Sequence, residues 1–237
     1  MELKIRLLDL IYPRRCPVCD EIADQAGQFL CRKCHEKIIY IREPYCMKCG
    51  KQLSKDEQEY CSDCLKKKHD FIQGTALYDY GSMADSVFRF KYAGRMEYAR
   101  FYGRELYKEK AHWLSMIRPD ALVPVPVHPA RKRQRGYNQA ELIARELSRC
   151  SGIPLNTQLI RRTKRTRPLK SLSYLERQNN LKKAFNIGRN DVKLYDRIIL
   201  VDDIYTTGTT LDEIAALLKS HGVSEVYCVT LACGAGL

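Results

Sequence analysis

The chain has 237 residues, and nowhere in them does an apolar run approach the length that a bilayer-spanning helix needs. Met1 to Arg15 interrupts its leucines with Glu2 and Asp9 and ends at Pro13-Arg14-Arg15, so it lacks the unbroken apolar core of a secretory signal. A cytoplasmic protein without membrane insertion is the expectation. Two familiar phosphate-binding fingerprints are also missing: neither Gly-x-x-x-x-Gly-Lys-Ser/Thr nor Gly-x-Gly-x-x-Gly occurs, which sets aside the Walker loop and the dinucleotide turn. Acids are scarce as well, 28 Asp and Glu against 41 Lys and Arg, and the net charge of +13 points toward anionic partners.

Cysteine, by contrast, is plentiful and ordered. Of eleven, eight form four Cys-x-x-Cys pairs, Cys16/Cys19, Cys31/Cys34, Cys46/Cys49 and Cys61/Cys64, with eleven residues in each gap. The constant spacing reads as one unit of two knuckles written twice, over 16 to 34 and 46 to 64. Two knuckles offer four thiolates at tetrahedral geometry with no open position for water, so two structural zinc ions are expected. The first knuckle should pair with the second and the third with the fourth, because each short gap can close its own hairpin; an interleaved cross-brace is the alternative. Redox-active thiols are the competing reading of the pattern, and four pairs in register argue against it. Eight thiolates and two dications move the net charge from +13 to +9, still basic. Cys150, Cys228 and Cys233 stand outside the module and read as small packing residues.

The richest stretch is Ile198-Ile199-Leu200-Val201-Asp202-Asp203-Ile204-Tyr205-Thr206-Thr207-Gly208-Thr209-Thr210. Its apolar run predicts a strand buried on both faces, as in the centre of a parallel sheet, stopping at the two carboxylates. Thr206 to Thr210 predicts a turn with Gly208 free to take positive φ, and Leu211, Ile214, Ala215, Leu217 and Leu218 begin a helical stripe. Backbone N-H groups and roughly half a positive charge at the helix start suit a phosphate without any lysine. Acids beside a phosphate suit ribose hydroxyls, so the implied ligand is a ribose 5-phosphate. A capped helix behind a chance acid pair is the plainer alternative. This stretch resembles the motif for phosphoribosyl pyrophosphate (PRPP) in type I phosphoribosyltransferases.

Elsewhere the chain reads as follows. Residues 3 to 11 have a helical apolar face. Lys66 to Asp70 marks a domain boundary, giving a double zinc ribbon with a short leading helix over 1–70 and an α/β domain over 71–237. Thr75 to Tyr80 predicts a strand, Met83 to Ala93 and Met96 to Ala111 helices; the aromatics between Phe88 and Tyr107 are expected in the core, with stacking on bases as the alternative. Ala121 to His128 is a short strand running into a rigid turn set by Pro124 and Pro126. Arg131-Lys132-Arg133-Gln134-Arg135 is a basic loop before a helix capped by Asn138, with Glu141 three residues on; beside a ribose-phosphate site it is placed to neutralise pyrophosphate. Arg161 to Lys170 holds six cations and no acid and reads as a mobile loop able to close over a reacting centre or to line a nucleic-acid groove. His128 is either an acid-base group or a loop histidine without chemistry.

Val123-Pro-Val-Pro, Arg135-Gly-Tyr-Asn-Gln-Ala, the 198–210 motif and the Cys-x-x-Cys module together resemble the ComF family, over essentially the whole chain. Leu169 departs from it, standing where a Gln three residues after Thr166 is expected. The resemblance implies a type I phosphoribosyltransferase-like α/β fold with a parallel sheet and a small amino-terminal zinc-ribbon domain. It implies PRPP with Mg held by Asp202, Asp203, Thr206, Thr207, Gly208, Thr209 and Thr210, with Asp202, Asp203 and Arg135 as catalytic candidates should the chain be an enzyme. It also implies a part in DNA uptake during transformation, with single-stranded DNA, a ComFA-type helicase and the DNA-processing protein DprA as partners. No base-binding hood is recognisable, so binding without turnover stays open beside catalysis.

Overall fold

The 198–210 motif begins within a nine-residue strand of the central sheet. In the computed structural model, which describes residues 13–23, 28–54, 59–163, 184–188, 192 and 194–234, Arg197–Tyr205 forms a strand whose Ile198, Ile199, Leu200 and Val201 are all fully buried. Around it the elements run in order α1 (Arg32–His35), α2 (Ser62–Lys66), β1 (Gly74–Asp79), α3 (Tyr80–Tyr92), α4 (Tyr98–Ile117), β2 (Ala121–Pro124), α5 (Pro129–Arg135), α6 (Gln139–Ser151), β3 (Ile160–Arg162), β4 (Phe185–Ile187), β5 (Arg197–Tyr205), α7 (Thr209–Ser220) and β6 (Glu225–Cys233). β1, β6, β5 and β2 make a four-stranded parallel sheet in that order, and β3 pairs antiparallel with β4.

β5 is apolar on both faces because both are covered. Ile199 and Val201 pack with Met83, Val87 and Phe90 of α3, Phe101, Tyr102 and Leu106 of α4, and Ile143, Ala144 and Leu147 of α6. Ile198 and Leu200 pack with Ile214, Ala215 and Leu218 of α7. Cys46, Cys49, Leu53 and Cys61 belong to that second cluster, so the second half of the cysteine module closes one face of the sheet. The first half packs on α3 and α4: Val18 O accepts from Arg89 at 2.5 Å, and Asp20 takes Arg95 at 2.8 Å. Residues 39 to 41 extend the sheet beside β1, with Ile41 N donating to Leu77 O and Asp79 N to Ile39 O, both at 3.0 Å.

Five expectations change. β5 does not stop at its acids: the ladder with β6 continues through Tyr205, while on the other side β2 leaves after Pro124 pairs Val201. The stretch 131–135 is not a loop but helix α5, started by Pro129 and capped by His128, whose Nδ1 accepts from Ala130 N at 3.2 Å. Asn138 sits at the N-cap position of α6 without capping it through its side chain. Arg161 and Arg162 lie in strand β3. Among the helix aromatics, Phe90, Tyr98, Phe101 and Tyr102 are core, whereas Phe88 and Tyr92 face solvent. Cys228 and Cys233 are buried as expected. The leading helix at 3 to 11 and Lys164 to Lys170, with Thr166 and Leu169, lie outside the described residues.

Candidate functional site

The early departure of β2 opens a crevice. After β2 the chain turns to α6 on one face of the sheet, and after β5 to α7 on the other, so the carboxyl ends of these neighbouring strands diverge; open α/β sheets bind ligands at such a point. A cavity of about 700 Å³ lies there, lined by Asp202 to Leu211 along one wall and by Val125, Arg131, Arg135, Asn138 and Arg162 on the others. Every residue proposed from the sequence for ribose and phosphate, from Asp202 through Thr210, lines it, as does Arg135. His128 does not.

The acid pair is held asymmetrically. Asp203 Oδ1 takes the Lys91 ammonium at 2.8 Å, while Asp202 Oδ1 accepts the Asp203 backbone N-H at 2.8 Å. Burial, and then the neighbouring Asp203 charge, push the Asp202 carboxyl up to about 7. Asp202 can therefore take or release a proton near neutrality, and hydroxyl donors or a cation entering the cavity would favour its charged form.

The turn behind the pair is shaped for an anion. Gly208 has φ +69°, and a Cβ there would stand 2.7 Å from Tyr205 Oη, so both backbone and space require glycine. The first bond of α7 is Asp212 N to Gly208 O at 2.8 Å, which leaves the N-H groups of Thr209, Thr210 and Leu211 ahead of the helix ladder. Thr207 and Thr209 hydroxyls lie 2.9 Å apart. Elsewhere on the lining, burial and then the charge of Arg131 depress the Arg162 guanidinium to about 10. Two guanidiniums converging on one cavity favour an anion between them.

Asn138 supplies a further test of fit. Its Nδ2 donates to Val125 O at 3.0 Å, which fixes the amide orientation, and its Oδ1 is buried without a partner while the residue lines the cavity. A buried acceptor of this kind is costly unless a ligand hydroxyl or N-H meets it. Carboxylates, an amide oxygen, helix-start N-H groups and guanidiniums around one cavity are the donor and acceptor set that a ribose phosphate with magnesium needs.

The sequence reading missed Lys91, Asn138 Oδ1 and the layer beneath the turn. Asp212 in the first turn of α7 is bound by Lys67, by His69 Nδ1 at 3.0 Å and by Asp70 N at 3.1 Å. His69 Nε2 lies 3.5 Å from Cys64 Sγ and 3.4 Å from Tyr205 Oη. The segment expected to be a linker thus joins the second cysteine group to the phosphate turn. A Lys near a helix end and a lone His carry no signal that separates such roles from solvated ones.

The cysteines gather as Cys16, Cys19, Cys31 and Cys34, and as Cys46, Cys49, Cys61 and Cys64, the first-with-second and third-with-fourth arrangement. Sulfur pairs Cys19–Cys31 and Cys49–Cys61 are each 3.7 Å apart. A tetrahedron with Zn–S bonds of about 2.3 Å has edges of nearly that length, so both groups fit a structural zinc ion.

Two domain families match this chain, a "Double zinc ribbon domain" over residues 7–65 and a "Phosphoribosyl transferase domain" over 134–235. Among curated proteins it is 39% identical over 151 residues to "Competence protein F" of Haemophilus influenzae, covering 61% of this chain and 65% of that one. It is 33% identical over 149 residues to "DNA utilization protein YhgH" of Escherichia coli K12, 60% and 64%, and 32% identical over 157 residues to "Competence protein ComFC" of Bacillus subtilis 168, 63% and 59%. The match spans 59% to 65% of the length of these relatives. The chain carries a double zinc ribbon joined to a phosphoribosyl transferase domain, and it is a homologue of the proteins named Competence protein F and ComFC, the family its sequence resembles.

Proposed function

We propose that this chain is a cytoplasmic DNA-uptake protein that binds PRPP with magnesium in the β2–β5 crevice and handles single-stranded DNA during transformation. The observation that carries the ligand is the sequence of groups along one wall: Asp202 and Asp203 at a parallel strand's carboxyl end, then the Thr206–Thr210 turn at a helix start, all on one cavity. Asp202, Asp203 and Asn138 Oδ1 would accept the ribose hydroxyls, the turn would hold the 5-phosphate, and Arg131, Arg135 and Arg162 would face the pyrophosphate. Magnesium, which Asp202 and Asp203 would help to hold, would supply positive charge to offset that of the pyrophosphate. The names of the relatives, competence and DNA utilization, support the pathway, and the net charge of +13 supports an anionic partner. A ComFA-type helicase and DprA are the protein partners this reading implies.

Calorimetric titration with PRPP and magnesium tests the pocket: wild type binds, and Asp202→Ala/Asp203→Ala weakens binding at least a hundredfold. The same double variant in a competent host should lose transformation. Absence of PRPP binding by the wild-type protein would remove the ligand assignment.

A second reading, an active phosphoribosyltransferase, draws on the Asp202 carboxyl at about 7, close to the pH at which a group exchanges protons most usefully. Pyrophosphate released from PRPP in the presence of bases or oligonucleotides, and not without them, is its signature.

A further inference from the structure

Helix α3 buries Met83, Val87 and Phe90 and leaves two of its aromatics outside, Phe88 at 59% and Tyr92 at 57% exposure. One exposed ring is ordinary; these two are neighbours one turn apart, with ring centroids 5.1 Å apart at 45°. The Arg135 guanidinium stands 4.7 Å from the Tyr92 centroid and donates to Gln139 Oε1 at 3.3 Å. Arg135 ends α5, whose seven residues include four cations and no acid. Tyr92 and Arg135 both line the crevice, so the ring pair continues directly from its mouth.

We propose that Phe88 and Tyr92 are a stacking platform for the bases of single-stranded nucleic acid, whose backbone lies along α5 and whose bound end is presented to the ribose-phosphate crevice. It rests on the DNA-handling part of the function proposed above and supplies the acceptor side that the sequence left without a hood. Every base offers a π-face to an aromatic ring, and successive phosphates find the α5 cations, so rings and charge together match one occupant. A duplex keeps its base faces stacked inside and cannot use the rings; an acidic protein segment would meet the cations but leave the rings bare.

The test is fluorescence anisotropy with labelled oligothymidylate and with a duplex of the same length, across a salt series, using the full zinc-loaded chain. Phe88→Ala should weaken oligothymidylate binding about tenfold or more, while its salt slope and its duplex binding stay at the wild-type values. Lys132→Ala/Arg133→Ala should instead flatten the salt slope for both nucleic acids. Phe88 does not line the crevice, so unchanged PRPP affinity certifies that Phe88→Ala is folded. In a Trp113→Phe background, Phe88→Trp should be quenched on oligothymidylate binding. Phe88→Ala with undiminished oligothymidylate affinity, or an unquenched Phe88→Trp, overturns the platform alone. A wild-type chain that binds no oligothymidylate overturns the DNA reading and the platform with it, and leaves the PRPP assignment to its own titration.

Discussion

Asp202 carries a cost that only a ligand recovers. Its carboxyl sits at about 7 when folded against an ordinary 3.8, so between those values the folded chain holds a proton that the unfolded chain has released. Stability from this group therefore falls as pH rises through the window, and the full penalty is present above pH 7. Asp202→Asn removes it: melting temperature should rise at pH 8, by an increment worth on the order of 2 kcal/mol, and the gain should shrink toward pH 4. The same variant should lose PRPP affinity, the expected trade between stability and a strained site. Gly208 behaves oppositely. Gly208→Ala places a Cβ 2.7 Å from Tyr205 Oη on a backbone at φ +69°, which should cost about 1–2 kcal/mol or more from the left-handed conformation alone and tilt the turn away from the phosphate. Unfolding in urea together with PRPP titration checks both; Gly208→Ala at wild-type stability would mean that the turn relaxes freely.

Among the elements, the start of α7 shows what was legible and what was not. Strand β5, the turn and the stripe Leu211, Ile214, Ala215 and Leu218 follow from local patterns, apolar run and 3.6-residue period, and the cysteine pairing follows from short equal gaps. The sequence reading put Phe88 in the core, yet its exposure obeys periodicity: Met83, Val87 and Phe90 lie at i, i+4 and i+7, which puts Phe88 off the stripe. What no local pattern reveals is a contact between residues 143 apart, His69 and Asp212. An acid in the first turn would repel a phosphate held there, yet the Lys67 ammonium offsets its charge, and His69 bridges it to Cys64. A carboxylate holding a histidine against a metal ligand orients the ligand sphere. Asp212→Ala, which touches neither zinc nor PRPP, should therefore weaken PRPP binding about tenfold with zinc content unchanged at two per chain. PRPP affinity within twofold of wild type would reduce the network to packing.

For the whole molecule, the division at residue 70 in the sequence does not correspond to a gap in packing. Cys46, Cys49 and Cys61 share a cluster with β5 and α7, Gly74 N donates to Lys48 O at 2.7 Å, and Lys48 Nζ donates to Phe71 O at 2.5 Å. At Gly50 the third knuckle presses so closely on β1 that a Cβ would lie 2.6 Å from Thr75 Cα. A sheet that borrows a zinc site for one of its covers should not melt independently of it. Structural zinc in small metal-dependent domains contributes about 10–16 kcal/mol to folding, the same order as a domain's whole net stability. Calorimetry of the zinc-loaded chain is thus expected to give one transition, and chelation should move that entire transition down by more than about 10 °C. The two sites should differ: Cys46→Ser/Cys49→Ser removes the support behind Asp212 and the phosphate turn, so PRPP binding is lost with stability, whereas Cys16→Ser/Cys19→Ser loosens the cover on α3 and α4 and leaves the turn intact. A separate low-temperature transition for the ribbon, with the α/β transition unmoved by chelator, would show that the shared core contributes contact without cooperativity.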